Sequence, residues 1–158
     1  MSENSLTPSR LWKSMTLEQR QRVARAFWSD EEAIDDQMQA ALLIAQTKKF
    51  RPKSVVALDL DRKSRHLATI VAVPDNIVAR ALIVYHLAEQ RPMMSTFLDA
   101  LGIKHDRGLI EEENVKPDAG KMGSAAAKIA SEFPESDIRL YLSTLRCQDP
   151  ETWGTLPA

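Results

Sequence analysis

Cysteine is almost missing from this chain. Cys147 stands alone, so no internal disulfide can hold the fold together. Glycine is scarce too, with 5 residues, while Ala, Leu, Arg, Glu and Gln are plentiful. Those side chains lose little rotamer freedom in a helix, so the balance favours helical structure. No apolar run approaches the roughly 20 residues a membrane-spanning helix needs, so no membrane segment is expected. A strong charge of either sign is also lacking. The net of −1 makes no overall case for nucleic acid or an anionic membrane. Met1–Ser9 is polar and does not read as a secretory signal. With a single thiol this points to a reducing cytoplasm.

What remains is an ordinary globular balance, 44% hydrophobic and 27% charged over 158 residues, enough for one domain to close a core. Charge is mildly uneven. Residues 1–65 hold 12 Lys+Arg against 9 Asp+Glu, a net of +3, and residues 66–158 hold 9 against 13, a net of −4.

The chain also echoes itself. Val23-Ala24-Arg25-Ala26 returns 55 residues later as Val78-Ala79-Arg80-Ala81, and at the same offset Trp12 meets Leu67, Met15 meets Ile70, Met38 meets Met93 and Leu43 meets Leu98. A fixed offset that carries apolar positions onto apolar positions suggests stacked helical units. The units would span about 7–50, 62–102 and 118–148 within one helical domain over 1–158.

Local signals set the helices. Thr7-Pro8 is a helix start, Thr16-Leu17-Glu18-Gln19 is a capping box, and Ser29 or Asp30 restarts the chain. The helix after it should bury Ile34, Met38, Ala41, Leu42 and Ala45, with Lys48 and Lys49 at its C-terminal end. Val55–Leu60 and Leu67–Val73 are short enough to pair as a hairpin, but the 55-residue offset and Pro74-Asp75 favour helix. Residues 76–89 leave almost no polar face, which marks a central helix. Pro92 opens another that Gly102 ends. Residues 102–120 read as a long, polar, irregular connection, a kind that is often functional or mobile. Helices follow through Met122–Phe133 and from Pro134, and a last turn at Asp149-Pro150 should dock Trp153. The fold class is all-α: about seven to nine helices as stacked hairpins, α-solenoid-like or an orthogonal bundle.

Reactive groups are few. His105-Asp106-Arg107, ahead of Glu111-Glu112-Glu113, is the densest cluster, with a general base and an anion-binding cation within one loop. His86, three residues before Glu89, could join a bundle metal site, but the converging Glu and His that such a site needs are missing. Arg80 is a candidate for a buried ion pair. Gly120-Lys121-Met122-Gly123-Ser124 lacks phosphate-loop spacing, and Cys147 has no neighbouring base. No spacing demands a particular reaction, metal or cofactor, and none is assigned. The leading expectation is therefore a non-enzymatic protein- or peptide-binding module, with a groove between helical units to which Met38, Met93 and Met94 could lend adaptability. One alternative is nucleic-acid binding through Lys48, Lys49, Arg51, Lys53, Arg62, Lys63 and Arg65. The other is a small-ligand site or enzyme centred on the 102–120 loop, through His105, Asp106 and Glu111.

Overall fold

Helix starts are written into the chain, and the structure uses them. It is a computed structural model that describes residues 6–111, 115–154 and 156. Residues 1–5 and the glutamates 112 and 113 lie outside that set. Pro8 takes the first position of α1 (Pro8–Ser14), where the Thr7 hydroxyl accepts from the Arg10 amide at 3.1 Å. α2 (Leu17–Ser29) opens with the reciprocal box. Thr16 Oγ1 accepts from the Gln19 amide at 3.1 Å, and the Thr16 amide donates to Gln19 Oε1 at 3.0 Å. Two amides that the helix cannot satisfy itself are thereby paired.

The chain continues through α3 (Ile34–Lys48), α4 (Pro52–Val56), α5 (Leu60–Thr69), α6 (Asp75–Glu89) and α7 (Arg91–Leu101). Strands β1 (His105–Asp106) and β2 (Leu109–Ile110) pair antiparallel before α8 (Ala119–Glu132), α9 (Glu135–Gln148) and α10 (Pro150–Trp153). Eight of these ten helices have seven residues or more, so the protein is all-α. The segment 55–73 is helical rather than a hairpin. Gly102 ends α7 in the left-handed conformation at φ 72°, as its position suggested.

Contacts divide the chain into two units, residues up to Tyr85 and residues from His86 onward. In the first, α2 packs on α5, and α3 packs on α4 and α5. Val23, Ala24 and Phe27 of α2 are buried at helical spacing, as are Leu67 and Ala68 of α5. Trp12 is buried, and its indole N–H donates to the Ile70 carbonyl at 2.8 Å. The Lys63 ammonium lies 5.1 Å from the Trp28 ring centre, a contact that shields apolar surface while the charge stays near water.

In the second unit α7 packs on α8, and α9 packs on α8 and α10. One cluster joins Met93, Phe97 and Leu101 of α7 to Met122, Ala126 and Ile129 of α8 and to Ile138, Tyr141 and Leu145 of α9. The final turn docks Trp153 as expected, 6.1 Å from Phe97 between ring centres.

Two expectations need correcting. α3 starts at Ile34, with Ala33 as a cap that makes no side-chain bond, and Asp30 instead accepts from the Glu32 amide at 3.2 Å. Its inward side is Ala40, Ala41, Ile44 and Ala45, while Ile34, Met38 and Leu42 are exposed. Six consecutive apolar residues, Ala40–Ala45, wrap this helix, and only one arc can face inward. The arc carrying three small alanines does so. The second correction is the connection after Gly102, which contains the β1–β2 hairpin.

The Trp12 bond generates a prediction. Trp12→Phe keeps an aromatic ring but leaves the buried Ile70 carbonyl without its donor. The expected loss is about 1–3 kcal/mol, seen as a lower urea midpoint at unchanged slope.

Candidate functional site

The hairpin decides what His105 can do. Arg107 and Gly108 both have positive φ, 48° and 96°, the pair of conformations a two-residue type I′ turn requires. A side chain at Gly108 would strike Met94, with an added Cβ only 2.7 Å from Met94 Cβ. The turn therefore lies directly against α7. His105 Nδ1 accepts from the Gly108 amide at 3.0 Å, and Nε2 lies 2.7 Å from Asp99 Oδ1 on α7. Because Nδ1 accepts, the proton of the neutral ring sits on Nε2 and is donated to Asp99. Both ring nitrogens are thus committed to holding the hairpin. An Asp–His pair suits general-base chemistry only if the second nitrogen faces a substrate. Here it faces backbone.

Arg91 completes the anchor. Its Nε donates to the Leu87 carbonyl at 2.7 Å and its Nη1 to the Arg107 carbonyl at 3.0 Å. Asp106 and Arg107 point to solvent and pair weakly at 3.6 Å, while Glu111 is exposed beyond β2. The structure brings His105, Asp106 and Arg107 into one turn without aiming them at a common point. Sequence reading missed this turn, although Gly108 between His105-Asp106 and Leu109-Ile110 is a hairpin signal.

The other candidates are held in structural contacts. Arg80 lies 3.8 Å from Asp36 and donates to the Glu32 carbonyl at 3.3 Å, which ties α6 to the start of α3. Beside it Asn76 donates to Gln39 at 2.5 Å. Arg25, its counterpart 55 residues earlier, pairs with Asp61. His86 is buried 5.6 Å from the ring centre of Tyr141, whose hydroxyl burial pushes far above its ordinary pKa. Among the described residues, no three His, Cys, Asp or Glu side chains gather as a metal site. Gly120 lies in the first turn of α8, where its amide donates to Asp118 at 2.8 Å. Cys147 is half-buried near the end of α9.

The basic residues fall along α3–α5. Arg51, Lys53, Arg62 and Arg65 are exposed, and Lys49 is exposed at the left-handed end of α3. Lys48 donates to Thr69 at 2.9 Å, Arg62 pairs with Asp59 at 3.6 Å, and Lys63 covers Trp28. Part of the cluster thus serves the fold. His66 sits edge-on to Phe50, ring centres 5.1 Å apart. Desolvation, then the Lys48 and Arg65 cations, hold its pKa below the usual histidine value of 6.5.

Among family models, curated proteins and solved structures, nothing matches this chain.

Two apolar surfaces stand out in the chain's own geometry. On α3, Ile34, Met38 and Leu42 are 61%, 51% and 47% exposed. Four-residue steps advance about 40° each, so the three form one gently winding ridge. The 55-residue offset carries Met38 to Met93, Leu42 to Phe97 and Gln46 to Leu101, all three buried in the second unit against residues of α8 and α9. Among the described residues, no helix covers the α3 positions in the same way. The second surface is a shallow groove of about 340 Å³ between α8 and α9. Gly123, Ala126, Ala127 and Ala130 form one wall and Ile138 and Leu142 the other, with the Glu135–Arg139 pair at 2.8 Å on its edge.

Two measurements check this site. His105→Ala should speed exchange of the Gly108 amide by roughly five- to tenfold, the worth of one net hydrogen bond, and leave helical content unchanged. His66 should titrate by NMR below 6.5, and Lys48→Ala should move it upward. Because the folded ring binds a proton more weakly than the unfolded one, stability should fall as pH drops below that value, and the contribution should be flat above it.

Proposed function

We propose that this protein is a non-enzymatic protein–protein interaction module, and that the ridge of α3 is the surface it offers. The carrying observation is exposure: Met38 and Leu42 lie open on successive turns of α3, whereas Met93 and Phe97, 55 residues later, are covered. Large apolar side chains on successive turns forgo about 25 cal/mol for every Å² left in water. Contiguous patches of that kind mark interaction surfaces, whereas scattered exposed side chains do not. Interior packing does not require these residues, since α3 already buries Ala40, Ala41, Ile44 and Ala45 on its other side. Sequence reading looked to a groove between helical units. The ridge supports the same function with a convex surface.

Affinity capture from native lysate tests this reading, comparing the wild-type chain with Met38→Asp and with Leu17→Asp as a control at another exposed position. The expected result is a specific partner retained by the wild type and the control and lost from Met38→Asp. A set of captured proteins unchanged by Met38→Asp, or no capture by a chain that is also monomeric, would overturn it. Binding to duplex DNA or RNA at low salt that survives Met38→Asp would instead support the basic cluster.

A further inference from the structure

We infer that the occupant of the α3 ridge is a second copy of this chain, its α3 lying antiparallel to the first. This rests on the ridge being an interaction surface and adds what it binds. Two exposed pairs, one on α3 and one just beyond its ends, are balanced about position 40, and Ile34 mirrors onto exposed Gln46. Met38 and Leu42 lie two residues to either side, and exposed Glu31 and Lys49 lie nine residues to either side. In a two-fold antiparallel pair centred there, Met38 meets the partner's Leu42 and Leu42 meets the partner's Met38. Glu31 then faces the partner's Lys49, and the same pair recurs at the opposite end. A surface that is complementary to itself in this way is what an isologous interface requires.

Charge supports the direction. The turn leading into α3 and its first turn are acidic at Glu31, Glu32 and Asp35, all exposed, and exposed Lys49 caps its C-terminal end. Two neighbouring charges already have roles within the unit, Asp36 with Arg80 and Lys48 with Thr69. Parallel packing would bring like charges together, whereas antiparallel packing pairs opposite charges and opposes the helix dipoles. One helical face buries less than the ~800 Å² per partner of a standard interface. The dimer is therefore weak, reversible and sensitive to salt.

Sedimentation equilibrium of the full chain over a range of concentrations tests this. The wild type is expected to dimerise reversibly, with association weakening as salt rises. Met38→Asp should raise the dissociation constant about tenfold or more, as for a central anchor, with circular dichroism confirming retained helix. Glu31→Lys and Lys49→Glu should each weaken association, and combining them in one chain should restore it, because the charge pairs are then inverted together. A chain monomeric up to millimolar concentration would overturn the proposal. So would a dimer indifferent to Met38→Asp, or charge variants that do not compensate each other. A monomer that still captures another protein through Met38 would refute the second copy and leave the interaction module standing. A monomer that captures nothing would refute both.

Discussion

A helix satisfies its backbone hydrogen bonds internally, so what must be solved from outside is the apolar side it leaves in water. Burial of that side organises both units of this protein. α2 and α5 cover one another, α7 is closed by α8, and α9 brings Ile138, Tyr141 and Leu145 to the same cluster. Polar groups are brought in as fasteners. The Trp12 indole reaches the Ile70 carbonyl, and the Arg91 guanidinium bonds carbonyls at the end of α6 and in the hairpin turn. Among the described residues, α3 alone of the long helices pairs a buried side made mostly of alanine with an outward ridge of large side chains, and the functional reading grows from that imbalance.

Much of the architecture was legible before any coordinates. Caps act within four residues, so Thr7, Thr16 and Gly102 could be read directly, and each makes the contact or adopts the conformation its chemistry implies. The helical state of 55–73 was harder, because short β-branched runs fit either structure. The side of α3 that faces inward was not legible. When Ala40 through Ala45 are all apolar, periodicity no longer selects an arc, and tertiary packing makes the choice. The hairpin escaped notice because its strands are two residues each, too short for alternation to register.

The candidate site was legible in composition and not in role. His105, Asp106 and Arg107 do share a turn, but a list of reactive side chains cannot show that the Gly108 amide occupies one ring nitrogen and Asp99 the other. Arg80 was singled out as a buried ion-pair candidate, whereas it lies 3.8 Å from Asp36 of the same unit with both side chains partly exposed. The surface proposed for binding was hidden by being sorted with the core. Ile34, Met38 and Leu42 have the residue types of an interior and the exposure of a boundary.

The hairpin's anchors have a kinetic consequence. His105 reaches only 6 positions back to Asp99, and Arg91 only 16 forward to Arg107. Closing loops that short costs little entropy, so this corner can assemble as soon as residue 110 leaves the ribosome. The Trp12–Ile70 bond spans 58 positions and must await most of its unit. Of these two contacts the hairpin corner is thus the quicker to close once its residues are made, although the second unit also holds a long-range contact of its own in Phe97–Trp153.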